Sequence, residues 1–342
     1  MPAGSEPGPL VTRGAVGAAE HEALATRAAV LIRPGLALFR LAGGGRLACL
    51  QGLVTCDVQQ PGDGARFLGA LLTAKGMIVA PLWITRLADA LLVEAPGVAA
   101  VDIASVFERS LPPRLCRWED VSDASASVGV YGPQAPDLLA TITDGELPTA
   151  AGRVATLRHA GAPVSAARLV ARGLDGYECV LPAGEAAAFV NRLTAQGAVG
   201  ISPVLLEERR ILNGYPRLGA EIDDKTLPQE VRLDELGGVS YTKGCYLGQE
   251  TVARVHFRGH ANRHLTGIEL EGEPPPLPAD VLHGGQPVGR LSSACWWEVR
   301  HGWVGLAVVR RSMGSGTAVA VAGGGAATVR ALPWDPAPPA AP

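Results

Sequence analysis

Lysine is almost absent from this chain: Lys75, Lys225 and Lys243 stand alone among 30 basic residues, and the remainder are scattered arginines. With a formal net charge of -3 and no basic cluster, the sequence lacks the footprint of a direct nucleic-acid binder, so any link to RNA has to be indirect. The arginine excess fits GC-rich bacterial coding better than a demand of function. The six cysteines, Cys49, Cys56, Cys116, Cys179, Cys245 and Cys295, include no C-x-x-C pair and no zinc-like spacing. An even count permits disulfides, but a chain of 342 residues with 47% hydrophobic content can bury a core without them. Its first residues, MPAGSEPGPLVTRG, also lack the basic end and apolar stretch of an export signal. A reducing compartment, the cytoplasm, is therefore expected. Long hydrophobic runs are missing as well, since Gly, Pro or charge interrupts each apolar segment short of membrane-spanning length.

What is present is a regular succession of short elements. Residues 1–20 read as a loose tail. AEHEALATRAAV has a short helical pattern, and LALFRLAG reads as the first strand of the body. GRLACLQGLVTCDV predicts a helix ending near Gly52 or Leu53, and Thr73-Ala74-Lys75-Gly76 supplies the turn of a hairpin between ARFLGALL and MIVAPLWIT. VAAVDIASVFERSL then forms a helix that Pro112-Pro113 must stop. A similar order recurs after Ser125, with no repeat of the sequence itself. The fold class is α+β, with a first portion over residues 21–124 and a second over 125–202. A segment at 203–257 returns to the first portion, and short strands (LTGIEL, PVGRLSS, WVGLAVV, TAVAVA, ATVRAL) build a C-terminal β-barrel at 258–333. Residues 334–342 read as a second loose tail.

Chemistry concentrates in Lys243-Gly244-Cys245-Tyr246-Leu247-Gly248-Gln249-Glu250. LGQETVARV can run on as a helix from Leu247, which puts Cys245 near unpaired N–H groups that favour a thiolate, with Lys243 adding positive charge. Taken alone, Cys245 can equally be a small buried hydrophobe between connector glycines. His256, His260 and His264 recur every four residues, yet Gly259 argues against one helix through all three and the sequence fixes no nearby carboxylate or thiol to complete a zinc shell.

KGCYLGQE followed by ARVHFRG resembles the K-G-C-Y-x-G-Q-E hallmark of the YgfZ family of folate-binding proteins of iron–sulfur cluster assembly and repair. That family is related to the aminomethyltransferase, or T-protein, of glycine cleavage. LACLQGLVTCDV is similar to the family's F-L-Q-G-L-x-T-N-D-V, LLTAKGMIVAPL to its hairpin L-x-x-x-G-R-x-x-x-D, and RRILNGYPRLGAEID to R-I-x-x-G-x-P-x-x-G. Cys56 stands where the family has Asn, and GGGRLACL lacks an acid often found before that helix. The resemblance implies two ferredoxin-like-related α+β portions and a barrel in a compact three-domain ring around a folate pocket.

On that basis Asp57, Glu178 and Arg210 border tetrahydrofolate or a derivative. Asp57 would orient a folate nitrogen, Glu178 would accept hydrogen bonds from the pterin edge, and Arg210 would hold a folate carboxylate or a neighbouring acid. Without the resemblance Asp57 reads as a loop acid or helix cap, and Glu178 as a surface carboxylate alternating with Tyr177 and Cys179. Cys245 becomes a redox-active thiol or transient cluster ligand, supported by Lys243, Gly244, Tyr246, Gly248, Gln249, Glu250 and Arg254, the last through an i,i+4 ion pair with Glu250. A cluster needs more ligands than one thiol, so an iron–sulfur assembly protein, a client enzyme or a small thiol completes the shell. The implied function is support of iron–sulfur enzymes by a monomer without membrane or direct nucleic-acid partners. The alternative is a folate-dependent aminomethyltransferase or other one-carbon transferase, with Asp57 catalytic. Turnover is left open.

Overall fold

The computed structural model describes Gly8 and residues 10–334 of the chain. Two open sheets and one closed barrel share the chain. In the first sheet the strands run in the order Ala65–Leu72, Ile78–Arg86, Ala90–Pro96, Leu36–Ala42 and Arg117–Asp120, all neighbours antiparallel. Alternation along Ala65–Leu72 sends Phe67 and Leu71 to one core and Leu68, Ala70 and Leu72 to another. Helices Arg46–Gln51 and Ala100–Ser110 close the first of these cores. Ile103 and Phe107, one turn apart, point inward, and Phe107 meets Phe39 edge-on at 5.6 Å. On the other face Ile222, Val231, Leu233, Tyr246 and Val252 pack down from the segment that follows residue 203.

The second sheet repeats the first with an addition. Each half runs strand, helix, three strands, helix, strand, and the corresponding strands adopt the same lateral order. The second half uses Ser125–Tyr131, Val154–His159, Ala162–Ala171, Leu174–Pro182 and Val199–Gly200, with helices Ala135–Ile142 and Ala186–Ala195 over Tyr177 and Cys179. Ala29–Ile32 lies between Ser125–Tyr131 and Val199–Gly200. This apolar AVLI run thus belongs to the second sheet, whereas its place in the sequence suggested the first portion. Pro34 and Gly35, the latter at φ +69, turn the chain from one sheet to the other.

In the barrel, Gln286–Trp297, Ala279–His283, Ala318–Val321, Ala326–Arg330, Arg263–Leu270 and Gly302–Arg310 close on themselves through pairing of the first with the last. Ala279–His283 is the strand that sequence reading omitted, because a short ADVLH flanked by Pro and Gly carries little apolar signal. Leu10–Val11 adds to the barrel in parallel beside Ala294–Cys295, and a helix begins at Ala18. Ordered structure therefore starts earlier than the loose tail to residue 20 suggested. At the other end Trp334 is buried against Trp297, while residues 335–342 of the expected tail lie outside the described residues. Among the described residues no helix is long and apolar enough to cross a membrane.

Candidate functional site

Arg33, Arg66 and Glu94 each interrupt or abut an apolar strand, and all three are buried. They meet Glu178 where the two sheets face one another. Arg33 donates to both Glu94 oxygens at 2.9 and 3.0 Å, and Arg66 donates to Glu94 at 3.1 Å and to Glu178 at 2.5 Å. Arg172 donates to the other Glu178 oxygen at 2.5 Å, which also accepts a longer bond from the Tyr131 hydroxyl at 3.4 Å. Burial works against the Glu94 carboxylate, but Arg33, Arg66 and Arg172 prevail and hold its pKa down to about 2. Burial also raises Tyr131 above the usual phenol range, so it stays neutral. Three guanidiniums therefore face two carboxylates.

Two adjoining cavities open beside this cluster and share Arg33, Leu36, Arg172, Arg210 and Arg217 in their walls. The smaller is lined further by Tyr131 and Glu207, and the larger by Trp83, Pro81, Tyr215 and Leu233. Arg66 and Arg172 both lie over the Trp83 ring, at 5.4 and 5.6 Å from its centre. Arg172 sits in the tight turn between Ala162–Ala171 and Leu174–Pro182 at φ 58, followed by Gly173 at φ +66. A side chain at Gly173 would run into the Asn213 amide, so glycine is what lets this turn approach the end of helix Pro203–Leu212.

Arg210 lines both cavities, yet its donors are committed. It bonds Glu207 twice, at 2.8 and 2.7 Å, Glu221 at 3.0 Å, the Tyr215 carbonyl at 2.5 Å and Ser293 at 2.7 Å. Of the two partners open at the sequence level, it is the neighbouring acids that hold it, and through Ser293 it ties the helix to the barrel. Glu178 does face away from Tyr177 and Cys179, but the first sheet covers that face, and the carboxylate is fully buried behind Arg172 and Tyr131. Glu178 and Asp57 line neither cavity. Asp57 caps the following turn, accepting from the Gln59 and Gln60 amides at 2.8 and 3.2 Å and from the Gln51 side chain at 3.2 Å. Its carboxyl sits below the ordinary range, because these bonds and Lys243 outweigh partial burial. Cys56 is a core thiol packed against Gly69, pushed up to about 12 by burial. In the family's hairpin pattern L-x-x-x-G-R-x-x-x-D, the closing acid falls on Pro81 and the arginine on Met77 of this chain, so a proline fills the cavity wall at that point.

The octapeptide forms a separate structure. Lys243 extends under the loop and its ammonium donates to the Gln51, Val54 and Cys56 carbonyls at 2.7 Å each. Burial pushes that ammonium down to about 8, with Cys56 and Asp57 pulling the other way. Tyr246 is buried in the core beneath the loop, and its amide donates to Gln249 Oε1 at 3.0 Å. Leu247 N–H bonds the Gly52 carbonyl at 2.9 Å. Gly248, at φ +80, packs directly on Thr73 and Gly76, and the helix Gln249–Arg258 begins after it. Cys245 accordingly lies outside the helix, exposed, beside a Gly244 with open space around it. Lys243 is spent on carbonyls of the first portion. Among the described residues no ion pair joins Glu250 to Arg254; both line a shallow surface pocket with Phe257, which is 65% exposed. His256 stacks on Tyr241 at 3.6 Å, and no group of three His, Cys, Asp or Glu among the described residues is placed to hold a metal ion.

Replacing Lys243 by Met keeps the aliphatic stem but strips three carbonyls of their donor. A loss of about 2 kcal/mol is expected in urea unfolding. An unchanged midpoint would mean that the lysine tethers nothing.

The residues that sequence reading passed over are Arg33, Arg66, Glu94, Arg172 and Trp83. A usable signal existed for two of them: a lone charge within an otherwise apolar strand, as in ARFLGALL and ALLVEA, requires a buried partner.

Residues 12–238 match the family described as GCVT N-terminal domain. The tRNA-modifying protein YgfZ of Yersinia pestis (strain Pestoides F) is 30% identical over 241 residues, 67% of this chain and 67% of that protein. The aminomethyltransferase of Synechococcus sp. (strain RCC307) is 27% identical over 300 residues, 86% of this chain and 82% of its own. Among solved structures, the glycine cleavage system aminomethyltransferase T from Bartonella henselae superposes with a TM-score of 0.81 at 21% identity, covering 93% of this chain and 89% of that one, and so shares the fold.

Proposed function

Because the chain belongs to the GCVT N-terminal domain family, in company with YgfZ proteins and aminomethyltransferases, we propose that it is a tetrahydrofolate-binding accessory protein that supports assembly, maintenance or repair of iron–sulfur enzymes. The observation that carries this reading is the separation of two chemistries. An arginine- and tryptophan-walled cavity suits a ligand with an aromatic body and polar ends, whereas the exposed thiol of Cys245 stands apart on a rigid loop. The two sheet-bearing portions and the barrel would form a ring around the ligand, in a cytoplasmic monomer.

In this reading Trp83 and Tyr215 would flank the ring systems of tetrahydrofolate and Arg172 would meet an acceptor group, all three being cavity-wall residues. Glu178 serves it by fixing Arg172 and Arg66, and Arg210 by holding the wall in place. Cys245 acts as a redox-active thiol or as one ligand to a cluster carried as cargo. A single thiol cannot retain a cluster, so an assembly protein, a client enzyme or a small thiol supplies the other ligands. The YgfZ relatives are named for tRNA modification; with a net charge of -3, the route that suits this chain is service to an iron–sulfur enzyme acting on tRNA, without RNA contact of its own.

The competing reading is aminomethyl or other one-carbon transfer, favoured by the longer alignment with aminomethyltransferases. Proton handling at a bound folate asks for an acid free to exchange at the ligand. Here the wall carboxylates, Glu94 and Glu207, are each held by arginines, Asp57 caps a turn, and the hairpin contributes Pro81. Calorimetric titration of the reduced protein with tetrahydrofolate and its 5-formyl derivative is expected to give saturable binding, and incubation with aminomethylated carrier protein plus tetrahydrofolate to give no catalytic methylenetetrahydrofolate. Absence of any folate binding would sink the reading, and robust turnover would replace it with the transferase.

A further inference from the structure

The buried cluster between the sheets does not balance. Arg33 and Arg66 are 6% and 4% exposed at their side chains, and Glu94 and Glu178 are 3% and 0% exposed. These four form a closed two-against-two arrangement in which each carboxylate touches both guanidiniums. Arg172 is the fifth member and the surplus charge. It has one ion-pair partner among the described residues, Glu178, whose charge the other two arginines already share. Its Nε N–H, like that of Arg66, is buried without a hydrogen-bond partner, but of the two side chains it is that of Arg172 that stands in the walls of both cavities. Arg210 and Arg217, the neighbouring wall arginines, face Glu207 and Glu221 and add no surplus. At 21% side-chain exposure Arg172 is half-buried rather than sealed in, and a guanidinium there with an unused donor and only a shared counter-charge is stabilised when something bound supplies both. The body of that ligand has its place next to Arg172, in the larger cavity among Trp83, Tyr215, Leu68, Leu218, Leu233 and Leu236.

We propose that the ligand of the joined cavities is an aromatic carboxylate and that Arg172 receives its carboxylate where the two cavities meet. The proposal deepens the folate reading and rests on it only for the name of the aromatic body. A carboxylate completes a three-against-three cluster and takes the idle Nε donor, and guanidinium matches it with two parallel bonds. The four-membered remainder is balanced in charge, so removal of Arg172 leaves the fold intact, in contrast with removal of an inner member. Arg172 is thus a specificity residue, set on a left-handed turn that Gly173 presses against Asn213.

The test uses the full chain, with Arg172→Asn, which suits the left-handed backbone, and Arg172→Lys, which keeps the charge. Calorimetry is run with tetrahydrofolate, with 6-methyltetrahydropterin, and with p-aminobenzoylglutamate against its dimethyl ester. The wild type is expected to prefer p-aminobenzoylglutamate over the ester by about tenfold or more. R172N should abolish the preference at an unchanged melting temperature, and R172K should retain most of it. A preference that R172N leaves intact, or no preference in the wild type, overturns the proposal. Arg172-dependent binding of p-aminobenzoylglutamate without binding of tetrahydrofolate or the tetrahydropterin would uphold it and remove the folate reading. Tetrahydrofolate binding that is indifferent to Arg172 does the reverse, and binding of none of the probes removes both.

Discussion

Glu178→Ala is expected to cost about 3–5 kcal/mol of stability, the range for deleting one partner of a buried ion pair. The magnitude follows from what is left behind. Glu178 accepts from Arg66 and Arg172 and lies 3.2 Å from an Arg33 nitrogen, so without it three guanidiniums confront Glu94 alone, two of them, Arg33 and Arg66, almost wholly buried. Glu178→Gln offers one acceptor oxygen but turns an amide NH₂ toward an arginine, and is expected to recover only part of the loss. Glu119→Ala, on an exposed position of strand Arg117–Asp120, serves as the control and should move stability by less than about 0.5 kcal/mol. Urea unfolding followed by tryptophan fluorescence measures all three. If E178A matched the Glu119 control, the cluster would not be what joins the two sheets, and the account of Arg172 as a surplus on a stable core would fall with it.

The second large effect is functional and leaves stability untouched. Cys245→Ala removes a side chain that is exposed, beside a glycine with open space around it. No cavity forms, so the destabilisation expected of a buried thiol does not apply. The loop keeps its shape, because Lys243, Tyr246, Leu247 and Gln249 make its anchoring contacts. The expected outcome is a protein with wild-type melting temperature and wild-type folate affinity that fails to restore iron–sulfur enzyme activity to cells lacking the chain. Cys245→Ser, nearly isosteric but a poor ligand for iron, should fail equally. Full complementation by either variant would rule out an essential thiol and leave the octapeptide as a structural tether between its loop and the first portion.

Local signals carried far in this sequence. Helix Ala100–Ser110 follows from Ile103 and Phe107 on one face and Pro112-Pro113 beyond its end, and the hairpin at Thr73–Gly76 from its turn residues. Strand alternation put Glu178 opposite Tyr177 and Cys179, as observed. It could not reveal that a second sheet lies over that face, because burial of Glu178 is created by residues far away in the chain. The arginine cluster was illegible for the same reason: Arg66 and Glu94 come from one sheet, Glu178 and Tyr131 from the other, and Arg33 from the crossing between them. Asp57 shows the opposite case, in which the plain local reading of a loop or capping acid describes its two backbone contacts, leaving the Gln51 side chain and Lys243 as additions. The octapeptide predicted a loop entering a helix, but the use of Lys243 depends on carbonyls of the Gln51–Cys56 loop that no spacing rule relates to it.

The strand Ala29–Ile32, wedged into the second sheet, sets an order on how the chain can be made. As it leaves the ribosome it is an apolar segment without a neighbour, and it must wait for Ser125–Tyr131 to pair on one edge and for Val199–Gly200 to pair on the other. The first sheet, whose strands all fall between residues 36 and 120, can close during that wait. The inner arginines then gather late, when Glu178 arrives with the second half. Nascent chains released before residue 200 expose an unpaired strand edge and charges without partners, a state suited to capture by chaperones and proteases. The duplicated halves are therefore sequential in synthesis but not independent: the strands of the first can pair without the second, while the second is completed only by a piece of chain made before either.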